Sequence, residues 1–203
     1  MTATSTSPSW ALNFAAGPIV SVTDAVPPLD ALVPLERRKP RPGEPYRFGV
    51  DVVIEPVGRH RKRAKVSSPL PGGLSFEIHS DEGKVVVGGD EGAPTPLAYF
   101  AAGVGFCLMT HITGYLTQTK IEVRRLKIEL RGNFMTTLGH LGTGGQGEGG
   151  CDGFESFVVI DSDASPEEIK ALVAVCERAC IASQTLARAI PTSLGVVLNG
   201  QTL

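Results

Sequence analysis

The sequence has no marked excess of charge of either sign. The 19 Lys and Arg residues against 21 Asp and Glu residues leave a formal net charge of -2 over 203 residues. A nearly neutral chain produces no long-range field that would attract nucleic acid or anionic lipid. We therefore expect neither a nucleic acid nor a membrane as a partner.

Cysteine and long apolar runs are scarce as well. Four cysteines are too few for the disulfide framework of a small secreted protein. We expect no apolar run to reach the roughly 18 residues of a membrane-spanning helix. The first basic residue is Arg37, so the positively charged start of a secretory signal is missing. These absences predict a soluble, cytoplasmic protein whose thiols stay reduced unless they take part in chemistry.

Glycine and proline, by contrast, are abundant, with 24 and 15 residues, which favours many turns and a strand-rich fold. Residues 1–45 hold eight of the prolines and show no lasting periodicity. This composition predicts a proline-rich N-terminal extension, parts of which lie along the folded body or a partner subunit. We assign the folded domain to residues 46–203.

The first part of that domain has the pattern of an antiparallel sheet. Alternating apolar residues from Phe48 to Ile54 predict one strand, and Arg59–Ser67 a second. Leu74–Ile78 and Lys84–Val87 predict a hairpin across the turn between them. The basic residues between 59 and 65 favour a charged edge strand or sheet face, with a nucleic-acid patch as the alternative.

A helix follows, with Thr95 as its cap and Pro96 at its first position. Apolar residues continue to about Tyr115 and predict a buried helix. Glycine is disfavoured in a helix interior by about 1 kcal/mol against alanine. The helix contains three glycines, at Gly103, Gly105 and Gly114. We therefore expect another backbone to approach it closely.

The second half alternates strands and helices. Residues 121–134 and 154–160 predict a hairpin, and the glycine-rich residues 138–153 between them predict a loop without regular structure. That loop lacks the Gly-x-x-x-x-Gly-Lys-Ser/Thr pattern of a phosphate cradle. A helix from Ser165 to about Arg188 and a last strand over residues 194–198 complete an α+β domain.

Three of the cysteines lie on the two predicted helices. Cys107 is in the middle of the first helix, with His111 one turn later on the same face. Cys180 is on the second helix, with Cys176 one turn before it. If the helices pack side by side, Cys107 and Cys180 can come within the Cα separation of about 5.5 Å that a disulfide requires.

The segment from Pro94 to Cys107, followed about 70 residues later by Ala179-Cys180, resembles the OsmC/Ohr superfamily, and the order of elements agrees over residues 46–203. The resemblance implies an intertwined homodimer with two central helices wrapped by antiparallel sheets and with active sites at the subunit interface. It also implies that Cys107 is the peroxide-attacking thiol and that Cys180 is the resolving thiol.

The implied activity is that of a cysteine-based thiol peroxidase that reduces organic or small hydroperoxides. A thiolate attacks the hydroperoxide and becomes a sulfenic acid, and a second thiol converts this to a disulfide. An external thiol or dithiol then restores both, so no cofactor or metal is expected. A cation or a helix N-terminus is needed to lower the pKa of Cys107, and the candidate cations are Arg59, Arg61 and Arg63. We also include His111 among the catalytic candidates, as the nearest titratable side chain by helical spacing.

Two positions depart from the pattern of the superfamily. Leu97 stands where the organic-hydroperoxide branch has a glutamate that helps to hold an arginine, and Ile181 stands where a proline usually follows the second cysteine. Two further hypotheses are a cysteine-dependent hydrolase or transferase on a small apolar carbonyl substrate, with His111 as the base, and a non-catalytic small-molecule-binding protein. A zinc site is another alternative, with its ligands at Cys107, His111, Cys176 and Cys180. Cys151 is expected to be a surface thiol without a role, and Cys176 a packing residue.

Overall fold

The computed structural model describes residues 18–23, 29–33, 39–68, 70–84, 86, 88–137, 147–188 and 190–203. The chain divides into two compact units, the first formed by residues 1–96 with 193–203 and the second by residues 97–192. Antiparallel sheets and helices make up the described residues. The α+β class predicted from the sequence is confirmed.

The first unit contains a four-stranded antiparallel sheet in the order β1-β4-β3-β2. Its strands are β1 (Val20–Thr23), β2 (Val52–Pro56), β3 (Lys62–Val66) and β4 (Ser75–Ser80). Two of the three basic residues of β3, Lys62 and Arg63, form ion pairs within this unit. Arg63 lies 2.7 Å from the carboxylate of Glu55, and Lys62 lies 2.5 Å from that of Glu82. This pairing is what a charged sheet face requires.

One predicted hairpin is wrong. β4 pairs with β3 and β1 rather than with Lys84–Val87, whose two described residues lie outside any strand and whose other two lie outside the described residues. The reason lies at Asp81, which is 3% exposed. Its carboxylate accepts the backbone N–H groups of Glu82 at 2.8 Å and of Gly92 at 3.1 Å. These bonds close residues 81–92 into a loop.

Part of the N-terminal region belongs to the sheet. β1 pairs with β4 from Val20 opposite Ile78 to Thr23 opposite Ser75. Residues 1–17, 24–28 and 34–38 lie outside the described part of the chain. The division of the chain at residue 45 stays a prediction.

The second unit packs helices against a long hairpin. Its elements are α1 (Pro96–Leu116), β5 (Val123–Thr136), β6 (Gly149–Ser162), α2 (Pro166–Ala179) and α3 (Ile181–Ala187). α1 begins at Pro96, as predicted. α2 begins with the predicted capping box, in which Ser165 accepts the N–H of Glu168 and the Glu168 carboxylate accepts the N–H of Ser165.

The hairpin strand β6 begins earlier than predicted, because glycines of the expected loop continue the strand. Residues 138–146 lie outside the described residues. The register shifts between Asn133, opposite Gly153, and Phe134, opposite Cys151, so one residue of β6 is left without a partner. This bulge allows the glycine-rich segment to pair with β5 over its full length.

The last predicted strand is shorter and forms a hairpin. β7 (Val197–Leu198) pairs with β8 (Gln201–Thr202). Asn199 and Gly200 between them have φ angles of 53° and 80°. Two positive φ values are those of a type I′ turn, for which Asn-Gly is the preferred sequence.

The core of the second unit lies between α1, α2 and the hairpin. Its buried residues are Leu108, Ile112, Leu172, Cys176 and Cys180. Leu126, Ile128 and Val158 of the hairpin pack against them, as does Cys107. Both candidate thiols are therefore part of the contact between α1 and the residues that follow α2.

The expectation that no segment is long and apolar enough to cross a membrane is wrong by length and composition. α1 has 21 residues without Asp, Glu, Lys or Arg and meets both criteria. Glycine, threonine and histidine interrupt its apolar run without adding a fixed charge. Only 17% of its most apolar 18-residue window is buried within the chain. α1 therefore exposes an apolar surface that the described residues of its own unit do not cover.

The glycines of α1 are part of that exposed surface. A Cβ atom built at Gly103, Gly105 or Gly114 would meet nothing within 4 Å. The close approach of another backbone that we expected is therefore not made by the described residues of this chain.

Candidate functional site

A break in the second helix positions Cys180. α2 ends at Ala179 and α3 begins at Ile181, and Cys180 between them has φ -68° and ψ 108°, which is not helical. The single helix predicted to run to about Arg188 is therefore wrong. The physical reason is that Cys180 caps both helices, because its N–H donates to the carbonyl of Cys176 at 2.9 Å and its sulfur accepts the N–H of Ser183 at 3.5 Å.

This break leaves Cys180 in the buried core cluster against which Cys107 packs, and each of the two thiols shifts the pKa of the other. Both thiols are free. Cys180 has 0% of its surface exposed, whereas Cys107 is only partly buried. The two thiols that the sequence singled out thus lie together, and the one from α1 is the more accessible.

The first turn of α3 directs its backbone amides at this pair. Burial acts to raise the pKa of Cys180, but hydrogen bonds from the hydroxyl and N–H of Ser183, from the thiol of Cys107 and from the N–H of Ala182 outweigh it. The pKa of Cys180 therefore lies below the ordinary value of a thiol. Amides at the start of a helix stabilise a thiolate in this way.

The pKa of Cys107 is shifted in the opposite direction. Burial raises it, and contact with the sulfur of Cys180 raises it further, whereas the N–H groups of Ala182 and Ile181 act to lower it. Within the described residues of this unit, no cation contributes to the pKa of either thiol. The pKa values of the two thiols are therefore shifted in opposite directions.

The predicted cations lie in the other unit. Arg63 pairs with Glu55 at 2.7 Å and faces Glu77 at 4.0 Å, and Arg61 donates to the carbonyl oxygen of Gly92 at 3.1 Å. The charge of Arg63 is thus already balanced by carboxylates of its own sheet. A role for any of these arginines at Cys107 stays a prediction.

His111 lies one turn after Cys107 on α1 and is partly buried. None of the described hydrogen bonds of the two thiols includes it, and its catalytic role stays a prediction. Cys176 is 1% exposed, and burial raises its pKa. Among the described residues, which include all four ligands of the zinc alternative, no group of three or more His, Cys, Asp or Glu side chains is placed to hold a metal. The side chains as they stand do not support that alternative.

A cavity of about 670 Å³ is bordered by Ser183, whose N–H donates to the sulfur of Cys180, whereas neither Cys107 nor Cys180 lines it. Phe100 and Val104 of α1, Phe154 of β6 and Leu186 of α3 give it an apolar wall, and Ser183 borders it as well. The rings of Phe100 and Phe154 meet edge to face with centroids 5.7 Å apart. An apolar compound of moderate size can therefore lie against the turn that holds Cys180.

Sequence reasoning missed Ser183 and the cavity. The signal for Ser183 was its position three residues after Cys180, which is the spacing between an N-cap side chain and the N–H that it accepts. Cys151, expected to be a surface thiol, is exposed and lies on the same cavity wall. Nothing in the sequence pattern linked it to the other thiols.

Comparison with protein families gives a match between residues 88–195 and the model described as OsmC-like protein, which is more than half of the chain. A comparison with curated proteins found no match. Similar solved structures include an OsmC-like hydroperoxide resistance protein from Jannaschia sp. CCS1, at 25% identity and a TM-score of 0.49, covering 76% of this chain and 95% of that one.

Two other similar structures come from Mycoplasma pneumoniae and Legionella pneumophila. The first is an OsmC-like protein at 20% identity and a TM-score of 0.49, covering 70% of this chain and 88% of that one. The second is an organic hydroperoxide resistance protein at 18% identity and a TM-score of 0.46, covering 70% of this chain and 89% of that one.

Proposed function

This chain belongs to the OsmC-like protein family, and on that premise we propose that it is a cysteine-based thiol peroxidase that reduces organic or small hydroperoxides. The observation that carries the proposal is that Cys107 packs against the core cluster that contains Cys180, where each thiol shifts the pKa of the other. A peroxidase with two cysteines needs its second thiol within reach of the sulfenic acid on the first. Two thiols of one packed cluster are placed to meet this requirement.

The difference in exposure supports the assignment of roles. A hydroperoxide must reach the attacking sulfur, and Cys107 is the more accessible of the pair, while Cys180 has 0% of its surface exposed. Cys107 is therefore proposed to attack and Cys180 to resolve. The neighbouring cavity, with its phenylalanine walls, is proposed to hold the apolar part of an organic hydroperoxide.

The reaction needs no resident cofactor. The thiolate of Cys107 attacks the outer oxygen of the hydroperoxide, the O–O bond breaks, and the alcohol leaves after protonation. Cys180 then attacks the sulfur of the sulfenic acid, a disulfide forms and water leaves. An external thiol or dithiol reduces the disulfide. The hydroperoxide and this reductant are the proposed partners, and the cytoplasm, where such reductants are abundant, is the proposed compartment.

We include an intertwined homodimer in the proposal. α1 has several exposed apolar residues, among them Leu97, Phe100 and Phe106, whose exposed fractions are 49%, 47% and 72%. A soluble protein rarely leaves an apolar surface of this extent uncovered. A second subunit that packs against α1 would cover these side chains and approach the open glycines.

Peroxide consumption with dithiothreitol tests the function. We expect the full chain to consume an organic hydroperoxide and to yield a Cys107-to-Cys180 crosslinked peptide in mass spectrometry. Cys107→Ser should abolish turnover. Cys176→Ala, which removes another thiol of the same core, should retain it. Undiminished turnover in Cys107→Ser would overturn the assignment, and acylation of Cys107 by an activated ester without any peroxide consumption would favour a hydrolase instead.

A further inference from the structure

The cavity bordered by Ser183 has a wall of aromatic side chains. Phe100 and Phe154 line it, and their ring centroids are 5.7 Å apart. Phe134 packs against both rings, with centroid distances of 6.4 Å to Phe100 and 5.6 Å to Phe154. An aromatic ligand gains edge-to-face or offset-stacked contacts with such rings that an aliphatic chain does not gain. The wall therefore favours an aromatic ligand over a linear aliphatic one.

A glycine in β5 makes room for this wall. Gly132 pairs with Phe154 in the register of the hairpin. A Cβ atom built at Gly132 would lie 2.7 Å from the ring of Phe134 and 3.0 Å from the ring of Phe154. Both distances are shorter than the contact distance of carbon atoms, so the rings occupy this place because position 132 has no side chain. The aromatic wall is thus built into the hairpin.

The charge at the cavity comes from one side chain. Among the described residues that line it, Glu177 of α2 alone carries a fixed charge, whereas Ser156 and Ser183 are neutral. Glu177 is exposed, and none of the described ion pairs includes its carboxylate. A carboxylate without an opposing cation repels an anionic ligand and leaves a neutral ligand unaffected. The cavity therefore disfavours anions.

On the basis of the peroxidase proposed above, we propose that this cavity selects uncharged aromatic hydroperoxides and that Glu177 is the specificity-determining residue that excludes anionic ones. The volume of about 670 Å³ lies in the range of small-molecule pockets. Ser183 links the cavity to the thiols, because its N–H donates to the sulfur of Cys180 at 3.5 Å. A ring held against the phenylalanines therefore lies near the turn that contains the resolving thiol. The aromatic group itself takes part in no covalent step.

Two dyes with one aromatic skeleton test the cavity without any peroxide. N-phenyl-1-naphthylamine is uncharged, and 1-anilinonaphthalene-8-sulfonate carries one negative charge on the same skeleton. Each dye is titrated by fluorescence, at low ionic strength, into the reduced wild-type protein and into Glu177→Gln. Glu167→Gln removes the same charge from the first turn of α2. It controls for net charge, because Glu167 does not line the cavity.

We expect Glu177→Gln to strengthen binding of the sulfonate dye by about fivefold, the effect of removing one nearby like charge at an exposed site. Its affinity for the uncharged dye should stay unchanged, and Glu167→Gln should change neither affinity. Added salt should reduce the difference between wild type and Glu177→Gln. Equal affinities of wild type and Glu177→Gln for the sulfonate dye would overturn the role of Glu177.

Phe154→Leu tests the aromatic wall. It should weaken binding of the uncharged dye by about fivefold, because it removes the ring contacts. Phe157→Leu makes the same substitution on the opposite face of β6, where the side chain is 68% exposed, and should leave the affinity unchanged. Phe100→Leu repeats the test from α1 should Phe154→Leu fail to fold. Equal binding by the variants of the two faces, or a wild-type protein that binds neither dye because a second subunit fills the cavity, would overturn the inference.

Hydroperoxide turnover extends the test to the proposed reaction. The kcat/KM of wild type for cumene hydroperoxide should exceed that for its ring-carboxylated derivative. Glu177→Gln should narrow this ratio by about fivefold through the carboxylated substrate alone, and an unchanged ratio would contradict selection by Glu177. If neither substrate is consumed, the peroxidase proposal fails. The dye titrations still decide whether the cavity selects uncharged aromatic ligands, because they need no peroxide.

Discussion

Cys107 and Cys180 have chemically identical side chains, but their pKa values are shifted in opposite directions in this protein. Both are desolvated, which raises the pKa of a thiol. Cys180 also receives the hydroxyl and N–H of Ser183, and these donors favour its charged form. Cys107 receives weaker help from Ala182 and Ile181 and lies against the charge on Cys180. Local donors, rather than depth of burial, decide the direction in which each pKa is shifted.

These opposite shifts predict how stability depends on pH. The folded pKa of Cys180 is lowered, so its contribution is complete above the pKa of an unfolded thiol, about 8.5, and is lost as pH falls through the folded value. The folded pKa values of Cys107 and Cys176 are raised. Their contributions are complete below about pH 8.5 and are lost as pH rises through the folded values.

Urea unfolding of the reduced protein at a series of pH values tests the predicted pH dependence of stability for Cys176. Cys176→Ala should cost about 1 kcal/mol at neutral pH, because it removes a buried side chain. The difference in free energy of unfolding from wild type should shrink as pH rises above about 8.5, where the unfolded thiol gives up its proton first. A difference that stays constant or grows over that range would contradict the raised pKa.

The sequence predicted the candidate site in part. Helical spacing and the resemblance together singled out Cys107 and Cys180, and in the structure Cys107 packs against the core cluster that contains Cys180. The order of their pKa values was not predictable, because it depends on which amides of α3 reach each sulfur. That geometry arises only from the break at Cys180, which a single long helix would not have.

At the level of elements, the break between α2 and α3 determines the site. A proline at position 181, as the superfamily usually has, would have signalled it, because proline disfavours helical geometry in the residue before it. Here Ile181 occupies that position and the extended geometry of Cys180 persists. The conformation is therefore maintained by capping through the sulfur.

Ile181→Pro tests how this element acts on the thiols. The extended Cys180 and the first position of α3 both suit a following proline, so we expect the free energy of unfolding to be retained or to rise by about 0.5 kcal/mol. The N–H of Ile181, which acts to lower the pKa of Cys107, is lost. The pKa of Cys107, measured from the pH dependence of its alkylation, should therefore rise. Ile181→Ala, which keeps the N–H, should leave it unchanged, and equal values in both variants would refute this role of the amide.

The capping box of α2, unlike the capping by Cys180, has a structural role only. Ser165 accepts the N–H of Glu168 at 3.3 Å and its own N–H donates to the Glu168 carboxylate at 2.9 Å. Ser165→Ala should cost about 1 kcal/mol of stability, seen as a lower midpoint in urea. Ser165→Thr should recover most of the loss. An alanine variant as stable as wild type would mean that the box does not limit the stability of this helix.

Local signals explain which elements the sequence predicted. Helix-start signals at Pro96 and Pro166, which occupy the first positions of α1 and α2, set the starts of these helices, and there prediction and structure agree. The pairing of β4 was not predictable from alternation, since it depends on the loop closed by Asp81. The Asn199-Gly200 turn had a clear signature, but the prediction ended with a single strand over residues 194–198 and did not include the hairpin.

At the scale of the whole molecule, α1 is the helix whose apolar surface the described residues of its own unit leave open. Phe106 has 72% of its surface exposed in the middle of an uncharged helix, and the open glycines meet nothing within 4 Å. A second subunit or an apolar phase would cover such a surface. The homodimer that we propose removes both features at once, since small residues allow helices to approach closely.

A charge placed in this surface distinguishes the two possibilities. Phe106→Glu would bury an unpaired carboxylate at a dimer interface, which costs several kcal/mol. We therefore expect sedimentation to show a dimer for wild type and a monomer or an aggregate for the variant. Ala171→Glu, which places the same charge at an exposed position of α2, should leave the dimer intact. A wild-type protein that sediments as a monomer without detergent, or a Phe106→Glu variant that remains dimeric, would contradict the proposed assembly, whereas recovery of wild type only from detergent would mean that α1 lies in a membrane.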